Sequence, residues 1–262
     1  LHRWLAATGR VNTWPCPEML ACIAPHAKGG WIAGMQSGLF HVRPQVEGHL
    51  DLTQLCSVPH ALPGMRFNDG RCDRQGRFLA GTMVMDMGLS VNAGCVYSYS
   101  NDSKRLEQLL TGFITPNGMA FSPDGRTMYL SDSHPRVQAI WAFDYDTVSG
   151  TPRNRRLFVD MHPLPGRPDG AAVDADGCYW ICGNDAGLVH RFTPQGKLDL
   201  SLTVPVKKPA MCAFGGPQLD TLFVTSIRPS GVDLSDQPLA GGVFALRPGV
   251  QGLPEPVFDC QT

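Results

Sequence analysis

Short apolar segments recur along the chain, and a turn residue introduces each of them. These turn residues are Gly30, Gly76, Gly125, Gly177 and Asp220, separated by 46, 49, 52 and 43 residues. A second short segment follows each of the first. Several of these second segments alternate apolar and polar residues, as half-buried strands do. No segment long enough to form a helix shows helical periodicity, so the pattern predicts an all-β chain of repeated strand groups.

The spacing of the repeats narrows the architecture. The intervals lie close to the period of a β-propeller blade, which is about 40–50 residues. Five repeats are visible, and residues 1–4 and 255–258 have the pattern of lone terminal strands. A propeller removes its free edges by pairing its first and last strands in one shared blade. We therefore expect residues 1–262 to form a single domain, a six-bladed β-propeller.

The N-terminal share of that sixth blade is short. Judged against the blade period, roughly 30–40 residues of blade-forming sequence are expected upstream of Leu1. The N-terminal part of the closing blade is therefore predicted to be missing.

Composition agrees with many short strands and excludes several classes of partner. The chain has 29 Gly, 22 Pro and only 17% charged residues, a balance that favours strands and turns. Its net charge of −1 and its scattered basic residues argue against binding to nucleic acid or to an anionic membrane. No apolar stretch approaches the roughly 18–20 residues of a membrane helix. Nine irregularly spaced cysteines indicate reduced, buried thiols and a cytoplasmic location.

Three repeats carry a polar side chain at one fixed place. Asn68, Asn117 and Asp169 each stand eight positions before the turn glycine of their repeat. In a propeller the innermost strand of each blade lines a central channel, so equivalent positions converge near the axis. Oxygen-bearing side chains at such positions suit a hard divalent cation. A single Asn-Gly pair would be explained as a simple turn, but three in register favour a site.

The segments around these residues resemble the gluconolactonase/regucalcin-like family of six-bladed propellers, also called senescence marker proteins. The resemblance runs from about residue 1 to 250. Its strongest segments are Arg66-Phe67-Asn68-Asp69-Gly70, Ala80-Gly81-Thr82-Met83, Pro116-Asn117-Gly118, Phe143-Asp144-Tyr145-Asp146 and Pro168-Asp169-Gly170.

The resemblance implies a metal-dependent hydrolase that opens sugar (aldono-)lactones to sugar acids. It implies one divalent ion, Ca²⁺, Zn²⁺, Mn²⁺ or Mg²⁺, that polarises the lactone carbonyl. Asn117 and Asp169 correspond to metal ligands, and Asp169 also to the general base. Arg66, Asn68 and Asp86 correspond to substrate contacts. The alternatives are a salt bridge for Arg66 and a solvated loop carboxylate for Asp86.

One departure from the family pattern weakens the metal site. The family has a third metal ligand, a Glu near its N-terminus, and this chain starts at a point downstream of it. Glu18 is a weak candidate to substitute for that ligand. A non-catalytic propeller that binds metal or another ligand is therefore the main alternative function. An interaction scaffold is a weaker one, because it gives the repeated polar positions no role.

Overall fold

The computed structural model describes residues 1–46 and 48–259. Its internal contacts divide the chain into two compact units. Unit 1 comprises Leu1–Gly112 and the segment that begins at Glu255, and unit 2 comprises Phe113–Pro254.

Unit 1 contains a hairpin and two four-stranded antiparallel sheets. The hairpin pairs β1 (His2–Trp4) with β2 (Val11–Thr13). The first sheet has β3 (Leu20–Pro25), β4 (Trp31–Met35), β5 (Gly38–Pro44) and β6 (Leu50–Ser57) in sequence order. The second has β7 (Met65–Cys72), β8 (Phe78–Val84), β9 (Gly94–Tyr99) and β10 (Leu106–Phe113), with a short 3-10 helix at Met87–Leu89 before β9.

Unit 2 contains three sheets of the same kind. The first has β11 (Pro116–Phe121), β12 (Thr127–Asp132), β13 (Ala139–Asp146) and β14 (Thr151–Asp160). The second has β15 (Arg167–Val173), β16 (Tyr179–Asn184), β17 (Leu188–Phe192) and β18 (Leu198–Thr203). The third has three strands, β19 (Pro209–Gly215), β20 (Thr221–Ser226) and β21 (Val243–Leu246).

Each of these five sheets is a blade of consecutive antiparallel strands, and the fold is an all-β propeller. The predicted number of six blades is wrong for the described residues, which form five. The N-terminal residues pair locally instead, with His2 opposite Thr13. Near the C-terminus, Phe258 makes only a single parallel bridge to His26. Pro254 and Pro256 precede Phe258 and lack the N–H that a ladder needs. The structure does not confirm the predicted missing part of a blade.

The second strand of a blade supplies the core on both of its faces. Every residue of β16 is buried. Successive strand residues point to opposite faces, so Tyr179 and Ile181 pack in one apolar cluster with Tyr129. Trp180 and Cys182 pack in a second cluster. This two-sided burial explains why the second strands are near-continuous apolar runs in the sequence.

Two further findings bear on the composition. The eight described cysteines are all free thiols. Within residues 1–46 and 48–259, no helix has the length and apolar character that crossing a membrane would require.

Candidate functional site

A bulge in the first strand of three blades positions the predicted polar residues. The pairing register shifts between Phe67 and Gly70 in β7, between Asn117 and Ala120 in β11, and between Pro168 and Ala171 in β15. A bulge inserts an extra residue and re-aims the neighbouring side chains. Asn68 and Asp169 lie within these bulges, and Asn117 pairs with Ser131 at the last position before its bulge.

Gly118 makes the bulge of β11 possible. Its φ of 58° lies in the left-handed region, which glycine adopts without steric cost. A Cβ at this position would lie 2.5 Å from the Tyr179 Oη. That hydroxyl donates a 2.7 Å hydrogen bond to the Gly118 carbonyl. The Asn-Gly pair is therefore required by both backbone conformation and packing.

Unit 2 brings the two predicted metal ligands into contact. β11 packs against β15, and the Nδ2 of Asn117 donates a 2.8 Å hydrogen bond to Asp169 Oδ1. The same Nδ2 also donates to the Ser133 Oγ at 3.1 Å. Asn117 is buried, whereas Asp169 is half-buried. The side chain of Asp169 is thus held by its neighbour and still reaches the surface.

Asn184 completes this cluster and was missed by the sequence analysis. It ends β16 and is 3% exposed. Its Nδ2 donates to Asp169 Oδ2 at 2.7 Å and to the Pro209 carbonyl at 3.3 Å. Its Oδ1 is buried and has no hydrogen-bond partner among the described residues. We name Asn117, Asp169 and Asn184 the carboxylate clamp, because an amide holds each oxygen of Asp169.

A signal for Asn184 does exist in the sequence. The apolar second strands of two neighbouring blades both end in a polar residue, Asp132 in β12 and Asn184 in β16. Asp132 is 2% exposed, and its carboxylate accepts from the backbone N–H groups of Ile114, Thr115 and His134. The polar end of a buried strand therefore marks a side chain with a specific bonding role.

Two of the predicted substrate contacts lie together in unit 1. Arg66 and Asn68 are half-buried on β7. The Nη1 of Arg66 donates to Asn68 Oδ1 at 2.9 Å and to the Phe67 carbonyl at 2.7 Å. This pairing fixes the guanidinium relative to the amide. The role of both residues in substrate binding stays a prediction.

Asp86 and Glu18 each have a local partner. Asp86 is exposed and caps the 3-10 helix, accepting from the Gly88 N–H at 3.0 Å. Glu18 precedes β3 and accepts from the N–H and Oγ of Ser37, at 3.2 and 2.8 Å. Substrate binding by Asp86 remains a prediction.

The carboxylate clamp offers the oxygen ligands that a hard cation takes, but only one of its three side chains, Asp169, is a carboxylate. Its side chains offer oxygens, which Ca²⁺ and Mg²⁺ prefer, and the unpartnered Asn184 Oδ1 is an oxygen that a cation would satisfy. However, the described residues contain no group of three or more His, Cys, Asp or Glu side chains that could hold a metal ion. A bound ion would therefore rely on amide oxygens and on water for most of its coordination.

Two surface clefts in unit 2 lie away from the clamp. One, of about 520 Å³, is lined by residues that include Arg126, Asp144 and Asn154. The other, of about 400 Å³, is lined by residues that include Asp124, Arg156 and Asp176. Neither cleft is lined by a clamp residue.

Comparison with known proteins places these features in a family. The model of the SMP-30/Gluconolactonase/LRE-like region matches residues 1–228. The chain is 38% identical to 6-deoxy-6-sulfogluconolactonase of Pseudomonas putida, across 98% of this chain and 87% of that protein. It is 32% identical to regucalcin of Danio rerio, across 97% of this chain and 85% of that protein.

A solved structure supports the same relationship. The calcium-binding protein regucalcin from Agrobacterium tumefaciens superposes with a TM-score of 0.89 at 29% identity, covering 98% of this chain and 85% of that one. The predicted family is therefore confirmed. The chain belongs to the SMP-30/gluconolactonase/LRE-like family.

Proposed function

We propose that the protein is a lactonase that hydrolyses a sugar (aldono-)lactone to the sugar acid. The observation that carries the proposal is the carboxylate clamp, in which Asn117 and Asn184 fix both oxygens of a half-buried Asp169. A named gluconolactonase at 38% identity supports this class of reaction. That relative's name also specifies a lactone with a sulfonate at carbon 6, which makes such lactones first choices for assay.

Asp169 is suited to general-base catalysis. An ionised carboxylate can accept hydrogen bonds at about four lone-pair sites, and it can take the proton of a water molecule. The water attacks the lactone carbonyl and forms a new C–O bond, while Asp169 takes its proton. When the ring C–O bond breaks, the protonated Asp169 returns the proton to the leaving ring oxygen. The product is the open-chain acid.

A divalent cation fits beside Asp169 in this proposal. Asn117 and Asp169 would hold it, and Asn184 would offer a third oxygen. When bound, such an ion polarises a carbonyl and lowers the pKa of bound water. The roles of Arg66, Asn68 and Asp86 in gripping the sugar rest on the family resemblance. A cytoplasmic location likewise rests on composition.

The test is turnover on a panel of sugar lactones, followed by acid release and corrected for spontaneous hydrolysis. We expect Asp169→Asn to lower kcat by about 100-fold or more, because a general base contributes about 10²–10⁴-fold. Asp160→Asn is the matched control, since Asp160 is an exposed carboxylate paired with His162. Wild-type rates in Asp169→Asn would refute the mechanism, and no turnover on any lactone would refute the function.

A non-catalytic binding propeller is the second candidate. It is favoured by the single carboxylate in the clamp and by the calcium-binding description of the Agrobacterium relative. It predicts that Ca²⁺ titration shows binding although no lactone is turned over. Chelation distinguishes metal-dependent from metal-independent hydrolysis, because equal rates before and after metal removal would contradict metal dependence.

A further inference from the structure

Three charged side chains form a second cluster in unit 2. The Nε of Arg167 donates to Asp185 Oδ2 at 2.7 Å. The ammonium of Lys208 hydrogen-bonds the other oxygen, Asp185 Oδ1. One ionised carboxylate thus holds two cations, and the trio carries a net charge of +1.

The trio adjoins the carboxylate clamp at three points. Arg167 lies two residues before Asp169 in β15, and its Nη1 donates to the Ser133 carbonyl at 3.2 Å. The Oγ of Ser133 accepts from Asn117.

The other two members are direct neighbours of clamp contacts in the chain. Asp185 follows Asn184, and Lys208 precedes Pro209, whose carbonyl accepts from Asn184. Consecutive Cα atoms are about 3.8 Å apart. The backbone of the trio therefore adjoins that of the clamp.

The two cations are partly exposed and retain donors that Asp185 does not use. The side chains of Arg167 and Lys208 are 23% and 32% exposed. The Nη2 of Arg167 makes no hydrogen bond with the described residues, because its contacts use Nε and Nη1. An ammonium has three donors, and Asp185 takes one of those of Lys208. Asp185 itself is held at a φ of 76°, a left-handed conformation that is uncommon outside glycine.

Another arginine cluster in unit 2 has the opposite balance. Arg191 is 9% exposed and contacts three carboxylates, those of Asp174, Asp176 and Asp199. That cluster has an excess of negative charge and fastens the blade internally. The Arg167–Asp185–Lys208 trio has an excess of positive charge and partial exposure, which are the properties of an anion-binding site.

We propose that Arg167 and Lys208 form a subsite for a tetrahedral anionic substituent, a sulfonate or a phosphate monoester, carried by the lactone substrate away from its reacting carbonyl. The proposal rests on the proposed lactonase function. Asp185 pre-orients both cations, so little ordering is needed when the anion binds. The net charge of +1 matches a singly charged sulfonate better than a phosphate monoester, which carries about −1.5 to −2 at pH 7.

The kinetic test compares three lactones that differ only at carbon 6: 6-deoxy-6-sulfogluconolactone, 6-phosphogluconolactone and gluconolactone. Arg167→Gln and Lys208→Gln are each expected to reduce kcat/KM for the preferred anionic lactone about 10- to 100-fold more than for gluconolactone, mainly through KM. Lys207→Gln is the matched control, because Lys207 is the exposed neighbour of Lys208 and pairs with Asp236. Added salt should weaken the preference for the anionic lactone.

Each outcome of the kinetic test either supports or overturns the subsite. Wild-type preference for the sulfonate or for the phosphate supports the subsite and identifies its ligand. Equal kcat/KM for all three lactones overturns it, as does an equal loss on all three in both variants.

A binding measurement separates this proposal from the lactonase function. Methyl 6-deoxy-6-sulfoglucoside and methyl glucoside contain no lactone, so calorimetry with them needs no turnover. We expect the sulfonated glycoside to bind wild type about 10-fold or more tightly than the neutral one, and Lys208→Gln to remove most of that difference. Equal affinities for the two glycosides would overturn the subsite even if the protein hydrolyses lactones. A clear difference would support the subsite even if it hydrolyses none.

Discussion

At the scale of single residues, the candidate site depends on how Asp169 is held. Both of its oxygens accept a hydrogen bond from a side-chain amide, at 2.8 Å from Asn117 and 2.7 Å from Asn184. The two amides therefore restrict Asp169 to one orientation, which a general base needs in order to reach its water.

Replacing Asn184 tests this positioning. Asn184→Ala removes the donor to Asp169 Oδ2, so the carboxylate loses one of the two amides that orient it. We expect kcat to fall about 10-fold and the free energy of unfolding to fall by about 1–3 kcal/mol. Asn92→Ala, at an exposed loop position, is the control. A stability loss with an unchanged kcat would show that Asn184 is only structural.

At the scale of elements, the bulged first strands explain which site residues the sequence could reveal. Asn117 and Asp169 were predictable because each is followed by glycine and recurs at a fixed distance from a turn. For Asn184 the sequence shows only a polar residue at the end of an apolar strand, because its contacts with Asp169 and Pro209 join strands that only the packing of blades brings together. The Asp185 partners, Arg167 and Lys208, were hidden for the same reason. Local repeats thus expose first-strand ligands, whereas contacts between blades remain hidden.

Gly118→Ala tests the bulge that presents Asn117. The alanine would have to adopt the left-handed φ of Gly118. Its Cβ would lie 2.5 Å from Tyr179 Oη, so the strand or the ring must shift. We expect a loss of about 2–4 kcal/mol in the free energy of unfolding, and reduced turnover because Asn117 moves with its neighbour.

Gly231→Ala is the matched control for this change. Gly231 has a φ of 75°, and a Cβ there would meet nothing within 4 Å. It therefore measures the backbone cost alone, expected to be about 1 kcal/mol. Equal losses in the two variants, measured by urea unfolding, would contradict the packing role assigned to Gly118.

At the scale of the whole molecule, the all-β repeat pattern predicted the blades but not their full extent. The turns at Gly30, Gly76, Gly125 and Gly177 all have positive φ, and a buried strand follows each of them. The outer strands were harder to predict. β14, for example, has ten residues and is mostly exposed. Its hydrophobic pattern therefore does not indicate a strand, which is defined instead by its pairing with β13. The count of six blades failed because residues 2–4 pair with a neighbouring hairpin strand.

The stability of the whole chain should depend on pH through His26. This ring is 8% exposed, stacks on His41 with centroids 4.0 Å apart, and accepts the Lys28 N–H at Nδ1, which requires an unprotonated nitrogen. Burial and the neighbouring His41 lower the pKa of His26 to about 4. Between about pH 6.5 and 4 the unfolded chain therefore binds a proton that the folded chain does not.

Stability from this group is fully present above about pH 6.5 and falls as the pH drops toward 4. His26→Asn keeps an acceptor for Lys28 but cannot titrate. We expect the free energy of unfolding of wild type to fall by about 1–2 kcal/mol more than that of His26→Asn between pH 7 and 4.5, measured by urea unfolding. His2→Asn, at an exposed ring, should follow the wild-type curve. Parallel curves for wild type and His26→Asn would show that His26 protonates equally in both states.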